Sequence, residues 1–298
     1  MKKMITSSKD RKPDGQRLQR LFQESRACFK KRKLAFALAV GLSGVGAVHA
    51  QVTLLKDYQN NYSATIGTFQ NISFREAGFS GLFPVAHTNG KEFWTVSDRG
   101  VNVDAASANT AACRPTYDKI YGFANYAPKI HRIRVNGDSV QILQTITMKR
   151  PGGTNATGLL NPTGFGSTAL EVVSTDTVLD CTRFNLKTAG KDVWGIDSEG
   201  ILVDNDGNFW ICEEGGPTIW KLDPNGVVLK RFSPYANLAG APSQDILIDT
   251  VFKYRKNNRG FEGIAMTPNG KIYAAIQAQS FSQTLLQVRL QGFTVFWK

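Results

Sequence analysis

Hydrophobic and polar residues alternate along this chain in short runs broken by Asn-Gly and Asp-Gly pairs. That period of two marks half-buried strands, and no helical period intervenes. The clearest run is Gly195 to Pro217, GIDSEGILVDNDGNFWICEEGGP, in which two apolar segments flank a turn. Sixty-three residues on, RGFEGIAMTPNGKIYAAIQ repeats it, with Glu262-Gly263 in the place of Glu199-Gly200 and a turn Gly seven residues after the first. A looser copy lies upstream in AGFSGLFPVAHTNGKEFWTVSDRG, where Gly81 comes first and Gly90 occupies the turn, with two extra residues between them. Gly81 and Gly200 are 119 residues apart, close to two steps of 63. The spacing implies a repeat of about sixty residues, with one copy too diverged to see.

Each copy reads as a β-hairpin. A hairpin repeated at a fixed spacing cannot bury both faces alone and must stack on its neighbours, so the pattern predicts an all-β fold, a β-propeller with blades of about sixty residues. Residues 51–75 read as leading strands with turns near Asn60-Asn61 and Gly67, and 76–100 as the first hairpin. Residues 101–123, rich in Ala, Asn, Ser and Thr, read as a long surface loop. PKIHRIRVNGDSVQILQTITM and TIWKLDPNGVVLKRF read as outer hairpins of their blades, and 149–195 as the diverged blade or an insertion. Residues 233–258 form a loop with a short helix or strand at Ile246 to Phe252, and a last hairpin runs from Gly263 to Gln277. After it one apolar segment, LLQVRLQGFTVFWK, stands where more strands are expected. Either the ring is small or the 51–298 domain is incomplete at its C-terminus.

The formal charge of +12 invites a nucleic-acid partner until its distribution is examined. Residues 1–50 hold 12 basic and 3 acidic residues, leaving 24 and 21 for the remainder, so the folded part is nearly neutral and no nucleic-acid surface is expected. Residues 1–50 read as a signal peptide with a long basic n-region: Lys30-Lys31-Arg32-Lys33, an apolar run from Leu34 to Val48, and Val48-His49-Ala50 before Gln51. The run is too short for stable membrane insertion. The expectation is export to the periplasm or the extracellular space.

Export makes cysteine pairing relevant. Cys113 and Cys181, in loop-rich stretches, are the candidates for one disulfide, whereas Cys212 lies mid-strand in FWICEE as a small buried hydrophobe. Carboxylates gather at matching ends of the repeats: Asp98 after the first hairpin, Asp197 and Glu199 before the second, Glu213 and Glu214 after it, and Glu262 before the third. Matching ends of propeller blades converge on the axis, where clustered acids repel one another unless a hard divalent cation intervenes. Oxygen-only ligands favour Ca²⁺, here with Asp98, Asp197, Glu199 and Glu262 as metal ligands. Glu213 and Glu214 are the candidate catalytic acids, and Arg99 and Arg259 the forks for an anionic oxygen group. The alternative for the acids beside Gly is a clasp on backbone N–H groups of the next blade. Asp204, Asp206 and Asn208 read as turn formers, since the spaced acids lack a closing Glu.

The ordered set FSGLF with WTVSDRG, DSEGILVDNDGNFWICEEGGPTIWKLDPNG and NRGFEGIAMTPNGKIYAAIQ resembles the phytase-like propeller proteins described by an esterase-like activity of phytase. The resemblance covers roughly Gly78 to Gln279. It implies an exported propeller and, by relation to β-propeller phytases, Ca²⁺-assisted hydrolysis of a small anionic substrate such as a phosphoester, by a monomer. A lactonase-type Ca²⁺ propeller, which uses a similar Glu-Gly signature, and a non-catalytic binding propeller are the alternatives.

Overall fold

The computed structural model describes residues 56–60, 65–107, 110–113, 116–179, 181, 186–277 and two C-terminal strands, 288–290 and 293–296. The leader, 1–50, lies outside the described residues. In chain order the strands are β1 (Gln59–Asn60), β2 (Thr65–Phe69), β3 (Ile72–Arg75), β4 (Phe79–Pro84), β5 (Glu92–Ser97), β6 (Asn102–Asp104), β7 (Lys119–Tyr121), β8 (Lys129–Asn136) and β9 (Ser139–Thr147). There follow β10 (Glu171–Val173), β11 (Ser198–Val203), β12 (Phe209–Glu213), β13 (Ile219–Leu222), β14 (Val228–Ser233), β15 (Asp245–Leu247), β16 (Phe261–Met266), β17 (Ile272–Ile276), β18 (Val288–Leu290) and β19 (Phe293–Phe296). Helix is confined, among the described residues, to short 3₁₀ turns, and none is long and apolar enough to cross a membrane.

The repeats are sheets of one design. β4-β5-β8-β9 is an antiparallel meander with β1 added parallel to its outer strand, and β11-β12-β13-β14 is another with β15 added the same way. The third sheet has the order β16-β17-β19-β18, with β19 parallel to β17. The expected hairpins at 76–100, 128–148, 218–232 and 263–277 are all present, and residues 245–254 supply both a strand and a 3₁₀ turn.

The middle sheet explains why its sequence is the most legible. β12 is buried at all five positions, with Phe209 and Ile211 entering one apolar core and Trp210 and Cys212 another. The first core joins the middle sheet to the first through Val96, Ile130, Ile146 and Trp220; the second joins it to the third through Phe261, Ile272 and Ile276. A strand between two sheets must be apolar on both faces, and each fully buried Ile, Leu or Phe contributes on the order of 2 kcal/mol.

Inner strand β11 lies against β4 on one side and β16 on the other. A Cβ on Gly81 would stand 2.9 Å from the Gly200 Cα, and one on Gly200 would stand 2.9 Å from the Cys212 Sγ and 3.2 Å from the Ile264 N. Gly81 and Gly200 thus mark close approaches of neighbouring strands, whereas a Cβ on Gly263 would meet only Ala275 Cβ at 3.9 Å. This geometry corrects the repeat arithmetic: β4 and β11 are direct neighbours, so no diverged copy separates them. Residues 149–195 are an insertion.

The insertions are ordered. In place of a surface loop at 101–123, β6 and β7 pair, and β10 from the 149–195 stretch adds parallel to β7. Ala105, Ile120, Leu179 and Phe69 form their core beside the Cys113–Cys181 disulfide, whose Cα atoms are 5.0 Å apart. The leading hairpin turns at Gln70-Asn71, both at positive φ, and not at Gly67, which sits at a bulge of β2.

Candidate functional site

The Glu-Gly pairs sit at register irregularities. In β11, Ser198 faces Glu213 and Gly200 faces Cys212, so Glu199 is the extra residue; in β16, Phe261 faces Ile276 and Gly263 faces Ala275, so Glu262 is the extra residue. A bulge re-aims one side chain out of the alternation. Both glutamates are half-buried, and they lie close enough for each ionised group to act on its neighbours. The two halves of the signature therefore do different work: Gly lets inner strands approach, and Glu is turned towards the shared end of the sheets.

Asp98, Asp197 and Glu199 bring carboxylate oxygens within 4.8 Å of one another. They come from the end of β5, from just before β11, and from the β11 bulge. Asp197 is fully enclosed and paired with Arg99, Nε to Oδ2 at 2.9 Å. Burial alone would raise its pKa, but the Arg99 guanidinium and hydrogen bonds from Asp98 and Arg99 hold it below the usual range. Asp98 goes the other way, raised well above that range by burial and by the Asp197 charge with which it shares a hydrogen bond. Glu199 is pushed up to about 7, by burial first and then by Asp197 and Glu262, although the Ser80 hydroxyl partly offsets this.

Glu214 joins the cluster from the end of β12. Burial, the Asp197 charge and a hydrogen bond shared with Glu262 raise it. Arg259, half-exposed at the rim, approaches its Oε1 at 3.5 Å. Five carboxyls thus face two guanidiniums, and among the described residues Asp98, Glu199 and Glu262 have no cationic partner within salt-bridge distance.

Two expected site residues are placed differently. Arg99 is not at the rim: its side chain is 1% exposed, at the floor, with the Tyr121 ring 5.3 Å away and both terminal nitrogens buried without an acceptor. Room for it comes from Gly215, where a Cβ would lie 2.2 Å from Nη2. Glu213 closes the 214–218 turn, accepting from Gly216 N at 2.8 Å, Thr218 N at 3.0 Å and Thr218 Oγ1 at 2.8 Å. It is held within its own turn, leaving Glu214 as the acid of this pair that reaches the cluster. Asp204 is a turn former, accepting from the Asp206 and Asn208 amides and from Trp210 Nε1.

Sequence reading missed Glu171 and Tyr121. Glu171, raised by burial, begins β10, and its titration responds to Arg99 and Lys119; Tyr121, raised by burial as well, ends β7. Both lie in insertions that carry no copy of the repeat, so no periodic signal marks them.

A secreted protein of uncharacterized function from Arthroderma benhamiae is 25% identical over 265 residues, covering 80% of this chain and 48% of its own length. The chain therefore spans about half the length of that relative. The model of the phytase-like family, "Esterase-like activity of phytase", matches residues 75–295, from the end of β3 into β19, so that β4 to β18 fall within it and the chain belongs to this family.

Proposed function

We propose that this is an exported β-propeller hydrolase of the phytase-like family that acts on small phosphoesters with the help of Ca²⁺. The three similar sheets are its blades, stacked through inner strands β4, β11 and β16. The observation that carries the reading is the convergence of Asp98, Asp197 and Glu199, with Glu214 and Glu262 beside them, on one end of those strands. Export is supported by the order of basic, apolar and small residues in 1–50 and by the relative's description as a secreted protein.

The donor set fits a hard cation. It offers carboxylate oxygens alone, and burial with mutual repulsion keeps protons on groups that a divalent ion would otherwise satisfy. Asp98, Asp197 and Glu199 would hold Ca²⁺, with Glu262 adjacent. When bound, the ion would supply positive charge to neutralise phosphoryl oxygens. Arg99 balances Asp197 from below and fixes its orientation. Glu214 shares a proton with Glu262 and is the group best placed to deliver it to a leaving oxygen. Arg259, at the solvent edge, holds a non-reacting oxygen of the substrate.

The test is release of phosphate from a generic phosphomonoester by purified protein, with Ca²⁺ and with chelator, beside a lactone-opening assay. Ca²⁺-dependent phosphate release is expected, and Glu214→Gln should lower kcat by about 10² or more. Lactone opening without phosphate release would transfer the site to the lactonase class. Neither activity would leave a binding propeller.

A further inference from the structure

A second pocket lies close to the acid cluster and carries the opposite charge. Its volume is about 410 Å³, and Thr163, Ser167, Thr168, Tyr235, Lys253 and Arg255 line it without a carboxylate. Lys191 braces the same wall from outside the pocket: its Nζ donates to Thr163 Oγ1 at 3.2 Å, Ser167 Oγ at 3.1 Å and the Thr168 carbonyl at 2.9 Å. Lys253 Nζ sits 5.4 Å from the centre of the Tyr235 ring.

Arg255 is the informative residue. It is 6% exposed, and its Nη2 donates to the carbonyl oxygens of Gly166, Glu214 and Gly215. Its Nε is buried and has no hydrogen-bond partner. A buried charged donor left unsatisfied costs at least about 1–3 kcal/mol, so such a group in a pocket wall calls for an acceptor. Lys253 and Arg255, with threonine hydroxyls beside them and no acid in the lining, favour an acceptor that is itself negative. The volume suits a compact anion with room for its water.

We infer that this pocket binds a phosphate-sized oxyanion, held by Lys253 and the Arg255 guanidinium and oriented by the hydroxyls of Thr163 and Thr168. It shares no lining residue with the acid cluster. Its ligand is chemically opposite, since the acids attract a cation and, without one, repel an anion. The inference does not depend on phosphoester hydrolysis. Arg255 also grips the carbonyls of Glu214 and Gly215, so an anion here would bear on the loop that carries Glu214.

Calorimetric titration of inorganic phosphate into chelator-treated, full-length protein tests it. Saturable binding at one site is expected. Lys253→Gln should weaken it about tenfold, the loss of one charge-assisted hydrogen bond, while Lys253→Arg should bind like wild type. Asp98→Asn should leave phosphate binding unchanged, which separates this pocket from the acid cluster. If Lys253→Gln does not fold, exposed Lys191 carries the test, with Lys191→Gln expected to weaken binding about threefold. The inference is overturned by the absence of saturable heat up to about 20 mM phosphate, by binding that appears only with Ca²⁺, or by equal affinity in a folded Lys253→Gln protein.

Discussion

The Glu76 network and the acid cluster are both enclosed, but cations satisfy them to different degrees. Glu76 accepts from the Tyr126 hydroxyl and Lys129 Nζ, each at 2.5 Å, with His131 Nε2 at 3.7 Å. Burial alone would raise its pKa, yet the nearby His131 ring and the hydrogen bonds from Lys129 and Tyr126 bring it down to about 2. In the cluster of Asp98, Asp197, Glu199, Glu214 and Glu262 burial acts in the same sense, but only Asp197 has a cation close enough to win. The difference separates structure from function. A carboxylate that completes its partners holds strands together, whereas acids gathered with fewer cations than carboxylates carry a standing electrostatic cost.

Removing the one satisfied contact inside the frustrated cluster should have the largest effect. Arg99→Gln leaves Asp197 enclosed and unpaired, and should lower stability by about 3–5 kcal/mol in denaturant unfolding. A loss below about 1 kcal/mol would show that the cluster is wetter than its burial implies.

Glu76→Gln should cost about 1–2 kcal/mol at pH 7, since it strips Lys129 of its counter-charge in a partly screened setting. The pH dependence has a fixed sign. The folded pKa of about 2 lies below the ordinary 4.5, so this stability is present above pH 4.5 and fades as pH falls towards 2. The variant should lose that part of the acid unfolding profile.

Glu199→Gln should move stability the other way, and by less. A folded pKa of about 7 against an ordinary 4.5 makes metal-free protein lose stability as pH rises between those values. Removing the charge should flatten that slope and, after solvent screening, add about 1 kcal/mol at pH 8, read as a higher Tm in chelator.

The repeat was legible because packing imposes it. Gly81 and Gly200 recur because neighbouring strands nearly touch there, and Phe209 to Cys212 reads as one apolar run because sheets cover both its faces. The acids at sheet ends could be picked out for the same reason. What periodicity could not separate was one acid from the next: Glu213 and Glu214 are neighbours in sequence, and only the 214–218 turn shows which one is occupied by backbone amides. Nor could spacing distinguish a lost repeat from an insertion. The 119-residue interval matched two steps by coincidence, because β6, β7 and β10 build a separate small sheet from residues with no repeat pattern.

The central claim, that the unpartnered acids are a cation site, is tested most directly by Tm at pH 7.5 as Ca²⁺ is titrated into chelator-treated protein. A ligand held only by the folded state stabilises it by mass action, about 2.7 kcal/mol at a hundredfold excess over Kd. The account predicts a saturable rise in wild type, abolished in the Asp98→Asn, Glu199→Gln double variant, whose metal-free Tm should equal or exceed that of wild type. A wild-type Tm indifferent to Ca²⁺, or a rise that survives the double variant, would contradict it.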